Sequence, residues 1–254
     1  MDVPLTMDGR YVESVRLSRP IGADSYLFHL PAVQALAGDG LHFTSDVAFL
    51  VGENGTGKST LLEAIAVACG FNPEGGTRNF TFSTRATHSP LWQSLTVARK
   101  RYPKDGFFLR AESFYNVATN IDEMDEGGGL GAPLIASYGG VSLHAQSHGE
   151  SFLALVQNRF SGRGLYILDE PEAALSPSRQ LTLMAEIHAL VRRDSQFIIA
   201  THSPILMAMP GSVIFELSDR GISPVPYRET EHYQLTRSFL ENPERMLRYL
   251  LDEQ

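Results

Sequence analysis

The sequence predicts an α/β fold in which a mostly parallel central sheet is flanked by helices. The chain has 254 residues, of which 43% are hydrophobic, and this is enough to bury a substantial core. Three short runs are continuously apolar, as a strand covered on both faces requires: Val47–Val51, Leu165–Leu168 and Phe197–Ala200. Helical patterns separate these runs, and strands that alternate with helices are typical of a sheet with a parallel core.

The other elements are predicted in chain order around this core. Further strands are expected at Phe107–Arg110 and Val213–Leu217. The early part of the chain predicts an antiparallel N-terminal flank, made of Tyr11–Leu17, Tyr26–His29 and Leu41–Phe43. Apolar periodicity predicts helices at Lys58–Ala68, Leu91–Arg101, Glu150–Arg159 and Ser178–Arg193.

We expect a single domain over residues 1–254, with an insertion of helices and loops over 72–149 and C-terminal helices over 229–254. Long irregular loops inside a compact domain are usually functional, and the insertion has two of them, Asn72–Pro90 and Glu126–Gly149. The tail is expected to break near Asn242-Pro243. Its apolar residues form a stripe that predicts packing onto the body, with a partner surface as the alternative, at Phe239, Met246, Leu247, Leu250 and Leu251.

The charge balance gives no general attraction to nucleic acid or to an anionic membrane, because the formal net charge is −8. The basic run Arg99-Lys100-Arg101 is more simply a solvated helix end, so charge does not support nucleic acid as a partner. The single cysteine, Cys69, excludes an intramolecular disulfide. Neither a signal peptide nor a run long enough to cross a bilayer is visible, so we expect a cytoplasmic protein without direct membrane insertion.

A glycine-rich segment follows the first core strand and opens the first long helix. It reads Gly52-Glu53-Asn54-Gly55-Thr56-Gly57-Lys58-Ser59-Thr60, the G-x-x-x-x-G-K-S pattern of a P-loop. The glycines let backbone N–H groups point inward at phosphates, and the helix N-terminus adds its positive dipole end. Lys58 supplies a cation for the β- and γ-phosphates, and Ser59 offers a hydroxyl to Mg²⁺. The segment therefore predicts a site for ATP and Mg²⁺.

The two other core strands end in residues suited to phosphate chemistry. Asp169 and Glu170 follow one strand, at the sheet edge where α/β proteins bind their ligands. Asp169 would hold Mg²⁺ directly or through water, and Glu170 would polarise the attacking water. His202 follows the other strand and would either contact the γ-phosphate or orient the water.

The segment Ser147-His148-Gly149-Glu150-Ser151 opens the predicted helix that precedes the acidic pair. A serine and a glycine at a helix N-terminus can bind an anion. The structural alternative is an ordinary N-cap, in which the side chain of Ser147 accepts a hydrogen bond from the first helical turn.

The order of these motifs resembles that of the ATP-binding-cassette (ABC) class of P-loop ATPases. The chain looks most like a small stand-alone group of ATPases, often grouped as AAA-type, in which Ser-His-Gly-Glu-Ser and Asp-Glu-Pro-Glu recur. The resemblance implies a small helical subdomain and an ATP-dependent homodimer in which two chains sandwich two ATP molecules head to tail. Each nucleotide would lie between one chain's P-loop and the other chain's signature, Ser147, His148, Gly149 and Glu150, until hydrolysis by Glu170 with His202 releases the dimer.

The chain departs from the family pattern at three points. His148 stands where the family has a second signature glycine, and Ser176 stands where an acid is usual after the acidic pair. The glutamine that usually senses Mg²⁺ has no clear counterpart. Glu112 is the positional candidate for this metal contact, and Gln93 is the alternative.

The resemblance implies a soluble, self-standing ATPase that acts as a switch or motor for an unknown partner, in a DNA-related or a defence setting. The alternatives are the nucleotide-binding subunit of a membrane transporter and a regulatory nucleotide sensor with little turnover. The long coiled coil of chromosome-maintenance heads is excluded, because the stretch between Ser59 and Ser147 is short and has no sustained heptads.

Replacing Lys58 by alanine tests the P-loop assignment. We expect Lys58→Ala to lose nucleotide binding, because the substitution removes the cation that neutralises the β- and γ-phosphates. Titration with a fluorescent ATP analogue measures the affinity directly. An unchanged affinity would refute the assignment.

Overall fold

The computed structural model describes residues 10–78, 89–110, 114, 118–119, 121–122, 134–138 and 140–251. The strands in these residues are β1 (Val12–Leu17), β2 (Leu41–His42), β3 (Val47–Val51), β4 (Leu95–Arg99), β5 (Asp105–Arg110), β6 (Gly164–Asp169), β7 (Gln196–Ala200), β8 (Val213–Ser218) and β9 (Gly221–Pro224). The α-helices are α1 (Pro31–Ala35), α2 (Lys58–Ala68), α3 (His148–Arg159), α4 (Pro177–Val191), α5 (Pro204–Met207), α6 (Glu231–Glu241) and α7 (Pro243–Leu251).

The larger sheet has six strands in the order β5-β6-β7-β3-β8-β9. All neighbouring pairs are parallel except β8 and β9, which form an antiparallel hairpin at one edge. The three continuously apolar runs lie side by side in its centre as β6, β7 and β3. The predicted α/β fold with a mostly parallel central sheet is therefore confirmed.

The side chains of this sheet alternate between two cores, one on each face. One core contains Phe49, Tyr166 and Phe197 and is covered by α3 and α4. The other contains Leu50 and Ile198 and is covered by α2 and β1. β3 and β7 have no exposed residue, and all their residues except Gln196 at the start of β7 are apolar, as is typical of strands covered on both faces.

A second, smaller sheet confirms the predicted antiparallel flank, but its composition differs from the prediction. It has three strands in the order β2-β1-β4, and both pairs are antiparallel. The prediction of a strand at Tyr26–His29 is wrong: these residues form a 3₁₀ helix whose first turn is capped by the side chain of Ser25. The predicted helix Leu91–Arg101 is also wrong, since it splits into a 3₁₀ helix, Pro90–Ser94, and the strand β4.

One buried side chain fastens the small sheet to the large one. Gln196 opens β7 and is 0% exposed. Its Oε1 accepts hydrogen bonds from the backbone N–H groups of Tyr11 and Val12, both at 2.8 Å, and its Nε2 donates to Val12 O at 2.9 Å. The amide thus satisfies three backbone groups at the start of β1.

The tail forms two helices, α6 and α7, separated at Asn242-Pro243 as predicted. The apolar stripe of these helices is not buried. Neither α6 nor α7 has a buried residue. Leu240, Leu250 and Leu251 are each more than 70% exposed. The expectation that the stripe packs onto the body is therefore wrong. Among the described residues, no helix combines the length and apolarity needed to cross a membrane.

The predicted insertion over 72–149 is described only in part. Its described residues include β4, β5 and the start of α3, while the three glycines of Gly127-Gly128-Gly129 lie outside the described residues. The division of the chain into a domain with an insertion and a tail stays a prediction.

Replacing Gln196 tests how the two sheets are joined. We expect Gln196→Leu to lower the free energy of unfolding by about 2–4 kcal/mol, because three buried backbone groups lose their partner. Chemical denaturation measures the change. Gln157→Leu is the matched control, since Gln157 is exposed and bonds only to the side chain of Glu186. If the free energy of unfolding falls by the same small amount in both variants, Gln196 does not fasten the sheets.

Candidate functional site

The glycine-rich segment forms a loop between β3 and α2, and its lysine lies inside it. Gly52 has φ 140°, and a Cβ there would lie 2.2 Å from Leu217 O, so this position requires glycine. The Lys58 ammonium donates to Gly52 O at 2.8 Å and to Glu53 O at 2.7 Å. Burial lowers the pKa of Lys58, against the attraction of the carboxylates of Glu170 and Asp169. A buried cation beside loop carbonyls is thus available to an anion that enters the loop.

The rest of the loop is more open. Gly55 and Gly57 have left-handed φ values of 85° and 93°. Asn54 is exposed, and Thr60 is half-buried in the first turn of α2. The Thr56 hydroxyl donates to Glu53 O at 2.9 Å, which tightens the turn. The backbone is therefore curled in the way that directs N–H groups to one side.

A short aromatic segment lies next to this loop. Leu30, the C-cap of the 3₁₀ helix Tyr26–His29, lies beside Gly57, the N-cap of α2. A Cβ on Gly57 would lie 3.5 Å from Leu30 Cδ1. Tyr26 and Phe28 on that helix are 59% and 40% exposed. The 3₁₀ helix that replaces the predicted strand at Tyr26–His29 therefore ends beside the P-loop.

The predicted metal residues Ser59 and Asp169 meet across the sheet. The Ser59 hydroxyl donates to Asp169 Oδ1 at 3.0 Å. A hydroxyl and a carboxylate are hard oxygen ligands that fit Mg²⁺, which usually takes one or two carboxylates together with substrate phosphates. The described residues contain no cluster of three or more His, Cys, Asp or Glu side chains that could hold a metal. Glu112 lies outside the described residues, and Gln93 is exposed on the helix Pro90–Ser94.

An arginine lies next to Asp169 and also pairs with the P-loop helix. Arg110 ends β5 beside Asp169, and its Nε lies 3.6 Å from Asp169 Oδ2. Its Nη1 also pairs with Glu63 Oε2 at 2.6 Å. Glu63 belongs to α2, the helix that begins at the P-loop, so one guanidinium links the P-loop helix to the acidic strand end. Sequence analysis missed Arg110, because a basic residue at a strand end has no motif.

Glu170 and His202 lie face to face at the ends of β6 and β7. Glu170 has φ 50° and ψ 51°, a left-handed conformation that is uncommon outside glycine. Its backbone N–H donates to Ala200 O at 2.9 Å. His202 Nε2 lies 3.6 Å from Glu170 Oε1. The two residues that sequence analysis assigned to catalysis are therefore brought together.

His202 has two further partners that sequence analysis did not identify. Its backbone N–H donates to Glu172 Oε1 at 2.5 Å, and burial raises the pKa of that carboxyl. Its Nδ1 lies 3.0 Å from Nε2 of His232, in the first turn of α6. Burial lowers the pKa of both histidines, and the charge of Lys58 adds to this. Burial therefore favours the neutral form of both rings.

The predicted signature segment forms the N-terminus of α3. The Ser147 hydroxyl donates to Glu150 Oε2 at 2.6 Å, and the Ser147 backbone N–H donates to the same oxygen at 3.2 Å. These bonds hold the pKa of the Glu150 carboxyl below its usual value. Ser147, His148 and Glu150 are all exposed.

Arg179 of α4 ties this segment to the body, and sequence analysis missed it. Its guanidinium donates to Ser147 Oγ at 3.3 Å and to Glu150 Oε1 at 3.0 Å. A Cβ on Gly149 would lie 2.5 Å from Arg179 Nη1 and 2.8 Å from Ala174 O, so Gly149 allows the close approach. Within the described residues, no hydrogen bond joins Ser147 or Glu150 to the P-loop of the same chain.

Two family models match separate parts of the chain. A family model described as "AAA domain, putative AbiEii toxin, Type IV TA system" matches residues 143–208, which include Ser147, Asp169, Glu170 and His202. A second model, described as "AAA domain", matches residues 37–104, which include the P-loop. No curated protein gives a significant match to the sequence.

Solved structures with a similar fold come from ABC transporters. A nucleotide-free ATP-binding cassette from an ABC transporter has a TM-score of 0.51 at 14% identity, over 92% of this chain and 98% of that chain. An inward-facing ABC transporter described as of the metal-chelate type has a TM-score of 0.50 at 14% identity, over 89% of this chain and 88% of that chain. The chain has the fold of the ATP-binding cassettes in these ABC transporters. In this fold the P-loop, the acidic strand end and the histidine all meet at one edge of the sheet.

Gly149 offers a test of the contact between α3 and α4. We expect Gly149→Ala to lower the free energy of unfolding by about 1–3 kcal/mol, because the added methyl group would collide with a backbone oxygen and a guanidinium. A shift in the thermal midpoint reports this loss. Gly38→Ala is the control, since a Cβ there meets nothing within 4 Å. Equal midpoints for the two variants would show that α3 and α4 are not in close contact here.

Proposed function

We propose that this protein binds ATP together with Mg²⁺ and hydrolyses the γ-phosphate bond. The observation that supports this most directly is the convergence of Lys58, Ser59, Asp169, Glu170 and His202 at one sheet edge. The carboxylate of Glu170 acts to raise the pKa of Lys58. The Ser59 hydroxyl donates to Asp169, and Glu170 faces His202. A cation, a metal-binding pair and a carboxylate next to a histidine are the parts that phosphoryl transfer requires.

Each residue has a definite role in the proposed reaction. The loop N–H groups and Lys58 bind the β- and γ-phosphates, and Ser59 and Asp169 would hold Mg²⁺, which neutralises charge on the phosphates. Glu170 accepts a proton from the attacking water as the oxygen forms its bond to phosphorus. His202 donates from its ring to a γ-phosphate oxygen. The chemistry depends on positioning and charge, because no covalent intermediate with the protein is needed.

The proposed active form is a homodimer that assembles when ATP is bound. Ser147 and His148 are exposed at the start of α3, and Ser147 makes no hydrogen bond to the P-loop of its own chain in the described residues. A hydroxyl at a helix N-terminus can bind the γ-phosphate of a nucleotide held by a second copy. Such an interface requires the γ-phosphate, so hydrolysis would open it.

The basic run Arg99-Lys100-Arg101 gives no support to a nucleic-acid partner. It begins at the last residue of β4 rather than ending a helix, and its two arginines have structural contacts. Arg99 donates to Ala68 O, and Arg101 pairs with Asp194 and lies 4.6 Å from the Tyr11 ring centroid. The partner that the ATPase cycle acts on is therefore not identified by charge.

The transporter alternative has weaker support. Two of the similar structures are described as coming from ABC transporters, but at 14% identity the similarity concerns the fold and not the partner. We propose the self-standing switch or motor as the leading interpretation. Co-purification with an integral membrane protein would reverse this order.

Replacing Glu170 tests hydrolysis and dimerisation together. We expect Glu170→Gln to keep ATP binding but to slow steady-state turnover by about 100-fold or more, because an amide cannot accept the proton from water. The variant should then accumulate as an ATP-bound dimer, which multi-angle light scattering with and without ATP detects.

Glu13→Gln is the control for this experiment, since Glu13 is an exposed residue of β1 and should change neither turnover nor mass. Turnover of Glu170→Gln at the rate of the unsubstituted protein would remove Glu170 from its role. A slow variant that stays monomeric with ATP would contradict the homodimer alone.

A further inference from the structure

A pair of histidines joins the C-terminal helices to the proposed hydrolysis site. His202 Nδ1 and His232 Nε2 are 3.0 Å apart, which is hydrogen-bond distance, and their ring planes are inclined at 55°. A hydrogen bond between two ring nitrogens requires that one of them donates and the other accepts. The choice decides which nitrogen of His202 carries its proton.

The surroundings of His202 favour one of the two arrangements. If His232 Nε2–H donates to His202 Nδ1, the proton of His202 lies on Nε2, which faces Glu170 Oε1 at 3.6 Å. In the opposite arrangement, an unprotonated His202 Nε2 would face the carboxylate, and two acceptors would oppose each other. At 3.6 Å this approach is longer than a hydrogen bond, and His202 Nε2 has no hydrogen-bond partner among the described residues. A ring N–H that faces a carboxylate is nevertheless electrostatically more favourable than two opposed acceptors.

The surroundings of His232 favour the same arrangement independently. Its Nδ1 is buried and has no hydrogen-bond partner among the described residues. If His232 Nε2 carries the proton, Nδ1 is a bare acceptor. In the opposite arrangement Nδ1 would be a buried N–H without an acceptor, and unpaired buried donors are the rarer and costlier case.

The position of His232 is itself fixed by the body of the protein. Thr230 is 0% exposed, and its hydroxyl caps the start of α6 by accepting from the Tyr233 backbone N–H. The rings of Tyr233 and Tyr227 are 4.7 Å apart, and the Tyr227 hydroxyl donates to Pro204 O at 2.9 Å. Pro204 lies two residues after His202, so the contact that fixes the start of α6 is made next to His202.

We propose that His232 is a positioning residue for ATP hydrolysis: it donates to His202 Nδ1 and so keeps the protonated Nε2 of His202 directed at Glu170 and the γ-phosphate. The proposal rests on the proposed ATPase function for its kinetic consequence. Its structural content, the protonation pattern of His202, is independent of turnover. No family motif described above contains this residue.

The first test is spectroscopic and uses the full chain labelled with ¹⁵N-histidine. Long-range ¹H–¹⁵N correlation at pH 7.5 distinguishes protonated from unprotonated ring nitrogens, and a His202→Gln sample identifies the signals of His202. We expect protonated Nε2 and bare Nδ1 in the unsubstituted protein. In His232→Phe, which retains an aromatic ring of similar size, His202 should become a mixture of both neutral forms. A His202 that is protonated on Nδ1 in the unsubstituted protein would overturn the proposal.

The second test is kinetic. We expect His232→Phe to lower kcat about tenfold with KM little changed, since loss of one hydrogen bond of this kind corresponds to about one factor of ten in rate. His232→Gln should restore most of kcat, because its side-chain amide can donate in place of Nε2–H. His188→Phe is the control, since His188 is exposed on α4. Equal kcat values for His232→Phe and the control would overturn the proposal.

The two tests separate the failure of this inference from the failure of the proposed function. If the unsubstituted protein does not hydrolyse ATP, the proposed function fails, and the protonation pattern of His202 still decides the role of His232. If it hydrolyses ATP and His232→Phe changes neither kcat nor that pattern, only the inference about His232 fails. A lower thermal midpoint in His232→Phe, together with an unchanged pattern, would assign His232 a purely structural role and contradict the proposal.

Discussion

The parallel register of three central strands is the constraint on which the site depends. β6 pairs with β7 so that Asp169 lies beside Ala200, and β7 pairs with β3 so that Ala200 lies beside Leu50. The residues that follow these strands therefore leave the sheet at one edge. Ser59 and Asp169 are 110 positions apart in sequence, yet they are joined by a hydrogen bond. A shift of one residue in any of these strands would exchange the two cores, so burial fixes the register and the register fixes the site.

The same argument explains why the centre of the fold could be predicted from the sequence. A strand covered on both faces has to be apolar throughout, and the run Val47–Val51 coincides with β3. Polar residues directly after such runs are then at the ligand-binding edge, which located Asp169, Glu170 and His202. β4 was missed because it is half-exposed and alternating, and its helix-forming residues Ala98 and Arg99 imitate a helical pattern. The N-cap and position of Ser147 could be predicted, but its contact with Arg179 could not.

Residues that act through long-range contacts left no pattern in the sequence. Arg110, Arg179 and His232 each lie in an element with an ordinary composition, and their significance comes from what the fold places opposite them. His232 is 30 positions from His202, with α5, the β8–β9 hairpin and a 3₁₀ helix between them. In the tail, by contrast, the sequence showed a pattern but not its partner. The apolar stripe was recognised from its periodicity, which shows only that one face of the helix is apolar. The described body of the chain does not cover this face.

The backbone of Glu170 shows how the scaffold serves the chemistry. A left-handed conformation in a residue with a side chain costs about 1–3 kcal/mol and persists only where neighbouring contacts hold it. Here the Glu170 N–H is bonded to Ala200 O, and Pro171 opens the next turn. The conformation turns the chain out of β6 at the point where Asp169 must stay near Ser59. Two consecutive carboxylates can then face different partners, Asp169 the P-loop helix and Glu170 the imidazole of His202. An extended backbone would send these side chains to opposite faces of the sheet, so the strain at Glu170 is the local condition for placing both acids at one edge.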